Sequence, residues 1–469
     1  MQVSGMRRML VLGCLPVVLA GCASLAPEQS LERVSEASIA LTDGHSLTLA
    51  DSGSAAAARE HINSLLAEPL ALETAVEIAL LNNPGLQANL FDLGIADAER
   101  VQASRLPNPG FSIGRYTQGN EVEWERGLHL NLARLISLPM TQRIAAGHSE
   151  QVEREVSLAV MRLATEARIA WYRAVAAEQS LAYSKQVMQA ADAAAELARR
   201  MAAVGNFNAL QQAHQQTFYA DAALSLLQAE RERTASREAL IRTLGLWGDQ
   251  LEFALPDRLP DLPEEALAQP DIERKAMASR LDVQAAQLNT TRMADSLSLG
   301  RATRFINVLE LGLEHSSSNE DPVKRGVEIS VELPLFDWSG SRMARNEAVY
   351  MQSVQRTAEV AINARSQVRE SYQVYRSSWD VAAHYRDEIV PLRKRISEEQ
   401  LLRYNAMFVS VFDLLADARE QITTVNSYVQ AQRDFWVAQA ELDLVRYGPV
   451  SPSQMAVAAA PASTRAKGH

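Results

Sequence analysis

The longest regular pattern in the chain is a seam of small apolar residues on helical spacing. Between Gly147 and Gly205 there is neither glycine nor proline. Apolar positions recur there at intervals of three and four residues: Val152, Val156, Ala159, Leu163, Ala167, Ala170, Ala174, Ala177 and Leu181. This spacing predicts very long helices packed side by side, with small side chains permitting close approach. Taken alone, it is equally typical of a soluble coiled coil or a spectrin-like rod.

Short segments with strict alternation of apolar and polar residues interrupt the helical pattern. The apolar series are Leu128, Leu130 and Leu132; Leu309, Leu311 and Leu313; Val327, Ile329, Val331 and Leu333; and a shorter one beginning with Phe111 and Ile113. A period of two predicts β-strands, here two hairpins at about 110–135 and 305–335. One apolar and one polar face fit a half-buried sheet on a soluble core, and fit transmembrane strands equally well.

Four strands are too few to close a membrane barrel, because the smallest have about eight. An open sheet edge cannot lie in lipid with its backbone groups unsatisfied, so membrane strands here would require several chains to share one barrel. The polar positions would then line the lumen, and four of them are acidic: Glu310, Glu314, Glu328 and Glu332. Repeated in each copy, these carboxylates would favour cations or repel anions.

The order of elements occurs twice. Gly127-Leu-His-Leu-Asn-Leu aligns with Gly326-Val-Glu-Ile-Ser-Val, and Asn83-Pro-Gly-Leu-Gln-Ala aligns with Arg280-Leu-Asp-Val-Gln-Ala. Gly205-Asn-Phe aligns with Ala406-Met-Phe. The spacing of roughly 200 residues far exceeds that of solenoid repeats and indicates a duplicated, domain-sized unit.

The repeat defines the expected boundaries. Repeat 1 covers 69–255 and repeat 2 covers 271–448, joined by a proline-rich linker at 256–270. Each is predicted to contain a first helix (Leu72–Leu106, Asp271–Arg304), a hairpin, and two long helices with a turn near 205–208 or 404–410. Residues 449–469 are expected to be a disordered tail.

The N-terminus has the features of an export signal. Arg7 and Arg8 precede a short apolar run that ends in Leu19-Ala20-Gly21-Cys22, which resembles a bacterial lipobox. This predicts a signal peptide at 1–21, lipidation (diacylglycerol and palmitate) of Cys22, and a mobile or extended linker at 22–68. The alternative is an ordinary signal peptide with an incidental cysteine. Since Ala23 rather than Asp follows the cysteine, the outer membrane is the expected destination.

Composition narrows the functional classes. A formal net charge of −11 argues against nucleic-acid binding, which requires a basic surface. The eight histidines show no metal-ligand spacing, and no nucleophile or phosphate-binding motif occurs. We therefore expect neither an enzyme nor a bound cofactor or metal. The low aromatic content, 6%, suits packed helices better than a thick globular core.

Four motifs in this order resemble the TolC-type outer-membrane factors of Gram-negative bacteria, over nearly all of 69–448. They are Leu72-Glu-Thr-Ala-Val-Glu-Ile-Ala-Leu-Leu-Asn-Asn-Pro84, Leu106-Pro107, Leu333-Pro-Leu-Phe-Asp337 and Asp413-Leu-Leu415. The resemblance implies a homotrimer in which each chain contributes four strands to a twelve-stranded barrel in the outer membrane. It also implies a periplasmic tunnel of coiled-coil helices, docking with a periplasmic adaptor (membrane fusion) protein and an inner-membrane pump.

The same resemblance suggests residues that constrict the periplasmic tip. Matching by position selects Tyr404 and Asp413, whereas the expected arginine falls on Val409 and its acidic partner on Gln211. A salt-bridged lock is therefore in doubt, and a looser or hydrogen-bonded closure would be needed. Asp413 also fits a first-turn acid stabilised by a helix dipole.

The function expected from these observations is the exit duct of a tripartite efflux system. The duct would conduct drugs or metal ions passively from a pump, which several lipidated members of this family suggest is of the resistance-nodulation-division type. A type I protein-secretion duct is the nearest alternative. A structural periplasmic coiled-coil lipoprotein without a pore is the alternative from another class, but a rod has no use for two amphipathic hairpins.

Overall fold

The computed structural model describes residues 27–42, 44–45, 47–49, 54–305, 308–332 and 338–450. Cys22, the signal peptide, most of the expected tail and the Leu333–Asp337 motif lie outside the described residues. Two compact units are present. One comprises residues up to Val34, Leu90–Val156 and Val283–Ala361; the other comprises Ser35–Asn89, Ser157–Asp282 and the residues from Ile362 onward.

Helices dominate the described chain. In chain order they are α1 (Pro27–Thr42), α2 (Ser54–Leu65), α3 (Leu72–Asn82), α4 (Pro84–Ser104), α5 (Leu132–Ala203), α6 (Ala209–Leu244), α7 (Ile272–Ser279), α8 (Leu281–Ala302), α9 (Gly340–His384), α10 (Val390–Asn405) and α11 (Val411–Val445). A 3₁₀ turn lies at Gly248–Leu251, and a π-helix at Tyr385–Ile389 joins α9 to α10. The part of the chain that the structure describes contains no helix with the length and apolarity needed to span a bilayer.

The strands form one antiparallel sheet in the order β1 (Gly110–Gln118), β2 (Glu121–Asn131), β3 (Leu309–Ser318) and β4 (Lys324–Val331). The predicted fold class, mainly helical with four short strands, is therefore confirmed. Leu132, expected to continue β2, instead begins α5. The reason is local: Asn131 Oδ1 accepts a hydrogen bond from the backbone N of Arg134 (2.8 Å), which caps the helix.

The predicted seam on α5 is largely buried. Seven of its nine residues lie in the core: Val156, Leu163, Ala167, Ala170, Ala174, Ala177 and Leu181. The 72-residue helix runs through Pro139. Proline lacks the N–H that would bond to the Leu135 carbonyl, but one missing bond does not end a helix that is capped upstream and packed downstream.

The first helix of each repeat, expected to be unbroken, is divided in two. In repeat 1 the break is at Asn83, because Pro84 disfavours helical geometry at the residue before it. In repeat 2 it is at Arg280, whose side chain is 1% exposed. Its guanidinium pairs with Asp282 (Nη2–Oδ2 2.6 Å, Nε–Oδ1 2.9 Å) and donates to the Val445 carbonyl (3.2 Å).

The segment 22–68 contains two helices, so its expected extended character is wrong where the structure describes it. Among the described side chains of α1, five are buried, and three of these bear hydroxyl groups: Ser30, Val34, Ser38, Leu41 and Thr42. Arg33 donates twice to Glu153, Nε to Oε2 at 3.0 Å and Nη2 to Oε1 at 2.5 Å. Three hydroxyl residues, the two apolar residues Val34 and Leu41 and the ion pair with Glu153 therefore hold α1 in place.

We predict that replacing the buried Arg280 destabilises the protein severely. Arg280→Met removes both guanidinium bonds to the Asp282 carboxylate and the bond to the Val445 carbonyl on α11, which costs about 3–5 kcal/mol. Arg274→Met is the matched control, because its pair with Asp271 is exposed and is worth about 0.5 kcal/mol. Thermal melts of the purified protein compare the two. Equal melting temperatures for the two variants would show that the buried pair is not essential to the fold.

Candidate functional site: a two-faced sheet and two helix turns

One face of the sheet is apolar and exposed. A row of large residues crosses all four strands, because Phe111 lies opposite Leu128, Leu128 opposite Leu313 and Leu313 opposite Val327. Phe111 and Val327 are each 69% exposed, and Ile329 is 64% exposed. A contiguous apolar surface of this kind marks a contact with lipid or protein.

The opposite face carries the predicted acids. Glu310 lies opposite Ser330 and Asn131, Glu314 lies opposite Gly326 and Gly127, and Glu328 lies opposite Gly312. Glu332 is one residue past the end of β4, where its backbone N donates to the Val308 carbonyl (3.2 Å). The structure thus brings three of the four acids onto one polar face, with the fourth at its margin.

Two further residues on this face were not singled out from the sequence. Glu125 lies opposite Gly114, and His129 lies opposite Gly110 and Gly312. Their alternation with Leu128 and Leu130 along β2 is the sequence pattern that places both of them on the polar face. The His129 ring contacts the Ser112 hydroxyl (Nε2–Oγ 3.1 Å), and a Cβ at Gly127 would lie 2.7 Å from the same nitrogen. Glycine at 127 is therefore what leaves room for the imidazole.

The turns that follow α5 and α10 have the same backbone design. Gly205 and Met407 adopt left-handed conformations (φ 80° and 61°). After each helix, a pair of hydrogen bonds closes a Schellman motif: Asn206 N to Met201 O and Gly205 N to Ala202 O, and Phe408 N to Arg403 O and Met407 N to Tyr404 O. Gly205 therefore corresponds to Met407, one position later than the sequence alignment with Ala406 suggested.

Both following helices begin with a capping box. In α6 Asn208 and Gln211 exchange hydrogen bonds, and in α11 Ser410 and Asp413 do the same. Asp413 Oδ2 accepts from the Ser410 hydroxyl (2.7 Å) and backbone N (2.9 Å), and these bonds hold the pKa of Asp413 below its usual range. Gln211 and Asp413 therefore occupy equivalent positions, and a helix-capping role accounts for both.

Tyr404 lies in the last turn of α10 with its side chain 37% exposed. Among the described residues, no hydrogen bond within the chain joins Tyr404 to Asp413 or Gln211. The two turns are linked instead by aromatic packing of Phe207 on Phe412, with ring centroids 4.3 Å apart. Further along the two helices that follow these turns, Arg419 on α11 forms a salt bridge with Asp221 on α6 (3.3 Å).

The surface of the α10–α11 turn is apolar. Met407 is 93% exposed and Phe408 is 82% exposed. Val409, which occupies the position of the expected arginine, is half-buried. No cluster of three or more metal-ligating side chains occurs within the described ranges.

A buried carboxylate in α11 was not foreseen. Glu441 is 2% exposed, and its Oε1 has no hydrogen-bond partner. Burial raises its pKa to about 7, against an opposing attraction from Arg173. Burial also raises the pKa of Asp443, two residues along the same helix, with Arg168 and Arg446 opposing the shift.

Comparison with solved structures gives consistent neighbours. The CmeC outer-membrane channel of Campylobacter jejuni has a TM-score of 0.69 at 15% identity, covering 80% of this chain and 85% of that one. The outer-membrane protein VceC of Vibrio cholerae has a TM-score of 0.65 at 14% identity, covering 80% of this chain and 96% of that one. The open-state MtrE outer-membrane channel of Neisseria gonorrhoeae has a TM-score of 0.58 at 17% identity, covering 80% of this chain and 89% of that one.

The chain has the fold of these outer-membrane proteins. At identities below one fifth, the likeness establishes the fold alone. Neither a protein-family profile nor a curated protein matches the sequence. The expected resemblance is thus confirmed at the level of tertiary structure.

We predict that Glu441 makes stability fall as the pH rises. Its native pKa lies above that of an unfolded glutamate, so the native state holds a proton that the unfolded state releases between about pH 4.5 and 7. Glu441→Gln removes this penalty, stabilising the protein by up to about 3 kcal/mol at pH 8 and not at all near pH 4. Melting temperatures across this range test it, with the exposed Glu399→Gln as the control. A constant difference between wild type and Glu441→Gln at all pH values would contradict the assignment.

Proposed function

We propose that the protein is a TolC-type outer-membrane factor: the exit duct of a tripartite efflux system. The observation that carries this proposal is the incomplete two-faced sheet. Its apolar face is exposed, its other face bears carboxylates, and among the described residues its edge strands β1 and β4 each pair with a strand on one side only. Three copies joined edge to edge would provide twelve strands, with lipid outside and acids within.

The fold supports the same conclusion, because channels of this architecture have been solved from several bacteria. In this proposal the strands cross the outer membrane of a Gram-negative cell and the long helices form a periplasmic tunnel. Cys22 is lipidated and, five positions before Pro27, tethers α1 close to the membrane surface. The duct itself performs no chemistry, and the energy for transport comes from an inner-membrane pump.

The partners follow from this role. A periplasmic adaptor bridges the duct to a pump of the resistance-nodulation-division type, and the transported compounds are small toxic molecules or metal ions. Tyr404, Asp413 and Gln211 narrow the passage near the α5–α6 and α10–α11 turns. Because Val409 and Gln211 are uncharged, closure there is looser or hydrogen-bonded rather than salt-bridged, which is a weaker restraint.

The mass of the detergent-extracted protein and its conductance in planar bilayers test the proposal. We expect a trimer that conducts, and a monomer without conductance would overturn it. A structural coiled-coil lipoprotein would give stable oligomers but no current.

The acids on the polar face make a sharper prediction. Glu314→Gln together with Glu328→Gln removes six carboxylates per trimer and should reduce the preference for cations over anions by a factor of about 2 or more, measured as a reversal potential in a salt gradient. Glu60→Gln on α2 is the control, because it removes charge outside the sheet. An unchanged reversal potential in the double variant would mean that these acids do not face the conduction path.

A further inference from the structure

The charged residues of the sheet are distributed unequally between its two faces. Strand alternation and the observed register place all six glutamates of β1–β4 on the polar face: Glu121, Glu123, Glu125, Glu310, Glu314 and Glu328. The same register places all three arginines of the strands on the apolar face, together with one histidine: Arg115, Arg126, Arg325 and His315. Every ionisable side chain that the four strands present on the apolar face is therefore basic.

Three of these basic residues form a row across three strands. Arg126 on β2 lies directly opposite His315 on β3, and His315 lies directly opposite Arg325 on β4. Both arginines are exposed. Among the described residues, no salt bridge pairs either of them with a carboxylate. Like charges on neighbouring strands destabilise a sheet, so an anion bound against this face would relieve a repulsion that the chain leaves uncompensated.

Arg115 adds a fourth basic group near the other edge of the sheet. It lies opposite Trp124 on β2, and its guanidinium carbon is 5.7 Å from the centre of the indole ring. Stacking of this kind uses the flat face of the guanidinium and leaves the N–H groups at its rim as donors. Tryptophan is enriched where a membrane protein meets the boundary between hydrocarbon and water. We call Arg115, Arg126, His315 and Arg325 the basic belt.

The basic belt borders the apolar surface on the side of the hairpin tips. The tips are at 119–120 and 319–323, whereas the other ends of the strands lead into helices. Towards the helices the exposed apolar surface continues past the sheet, to Leu106, Ile136, Phe305 and Trp338. From Arg126 to Ile136 the chain covers roughly 20–25 Å, which is close to the height of the apolar band on a membrane barrel. The belt therefore marks one border of a surface tall enough to cross the hydrocarbon layer.

We propose that the basic belt binds the phosphate groups of the glycolipid in the outer leaflet of the outer membrane. The inference rests on the proposed function, in which the strands cross that membrane and the long helices lie in the periplasm. The strand ends that lead into the helices then face the periplasm, so the hairpin tips and the belt face the outer leaflet. In Gram-negative bacteria this leaflet consists of glycolipid with phosphorylated sugar head groups.

The chemistry of the belt suits such a head group. A guanidinium binds phosphate through paired, charge-assisted hydrogen bonds, and clusters of basic residues beside a membrane span bind anionic head groups. Arg126 and Arg325 lie two strands apart, which is about 10 Å between their backbones. This separation suits a head group with two phosphates better than one with a single phosphate. The carboxylates of the strands, which would repel phosphate, all lie on the opposite face.

Binding of purified lipids tests the proposal. The full-length protein in a non-ionic detergent is titrated with diphosphoryl lipid A, monophosphoryl lipid A or phosphatidylglycerol, and the bound lipid is counted by native mass spectrometry. We expect diphosphoryl lipid A to bind about 10-fold more tightly than phosphatidylglycerol, with the monophosphoryl form between them, because the belt provides several donors. Equal affinities for the three lipids would overturn the proposal.

Two adjacent residues of β4 supply a matched pair of variants. Arg325→Gln removes one charge from the belt and should weaken binding of diphosphoryl lipid A about fivefold, and adding Arg126→Gln should weaken it about 25-fold. Lys324→Gln removes the same charge from the opposite face, where Lys324 lies opposite Ser316, and should leave the affinity unchanged. Equal losses in Arg325→Gln and Lys324→Gln would show that the apolar face is not the binding surface.

The wild-type protein provides a test that needs no variant. Salt screens exposed charges, so raising the NaCl concentration from about 0.1 M to about 1 M should weaken binding of diphosphoryl lipid A by a factor of about 10 or more. An affinity independent of salt would contradict the belt.

The oligomeric mass and conductance of the same preparation separate this inference from the proposed function. A conducting trimer that shows no preference for the phosphorylated glycolipid would overturn the belt alone. A monomer without conductance would overturn the proposed function and the membrane position of the belt with it.

Discussion

The architecture depends on how the last long helix of each repeat, α6 or α11, is closed at its C-terminal end. A helix leaves its last carbonyls without intrahelical partners, and buried ones must be satisfied elsewhere. In repeat 1 the amides of Asn82 and Asn83 donate to the carbonyls of Thr243, Leu244 and Gly245. Gly245 is left-handed, and a Cβ there would lie 2.7 Å from the Asn82 carbonyl, so only glycine permits this approach.

Repeat 2 meets the same need with different residues. Arg280 donates to the Val445 carbonyl, Ser279 to that of Arg446, and the Leu281 N to that of Tyr447 (2.7 Å). In both repeats the capping groups lie where the first helix breaks. At this break the C-terminal end of the last helix in each repeat is therefore hydrogen-bonded to the first helical segment of the same repeat.

The features relevant to function are the surfaces that stay exposed in the single chain. Within the described ranges the sheet keeps an exposed apolar face and two open edges, the α10–α11 turn exposes Met407 and Phe408, and α10 has no buried residue. Burial elsewhere is dense enough to raise the pKa of Glu441 to about 7. Buried residues thus lie around the proline-rich segment 256–270 and the capped ends of α6 and α11, while the surfaces proposed for assembly and conduction are exposed in the single chain.

Local pattern was sufficient for the elements whose signal is periodic. The three-and-four spacing on α5, the alternation in β1–β4 and the repeat were all readable from the sequence, because each depends on which face of an element is apolar. The buried polar contacts were decided by the tertiary structure alone, because they depend on partners that are distant in the chain. Helix α1 buries three hydroxyl residues that appear polar in sequence beside Val34 and Leu41, and Arg280 and Glu441 appear to be surface charges until Val445 and the neighbouring helices enclose them. Periodicity records which side of an element avoids water, but a buried polar group is recognisable only once the groups that surround it are in place.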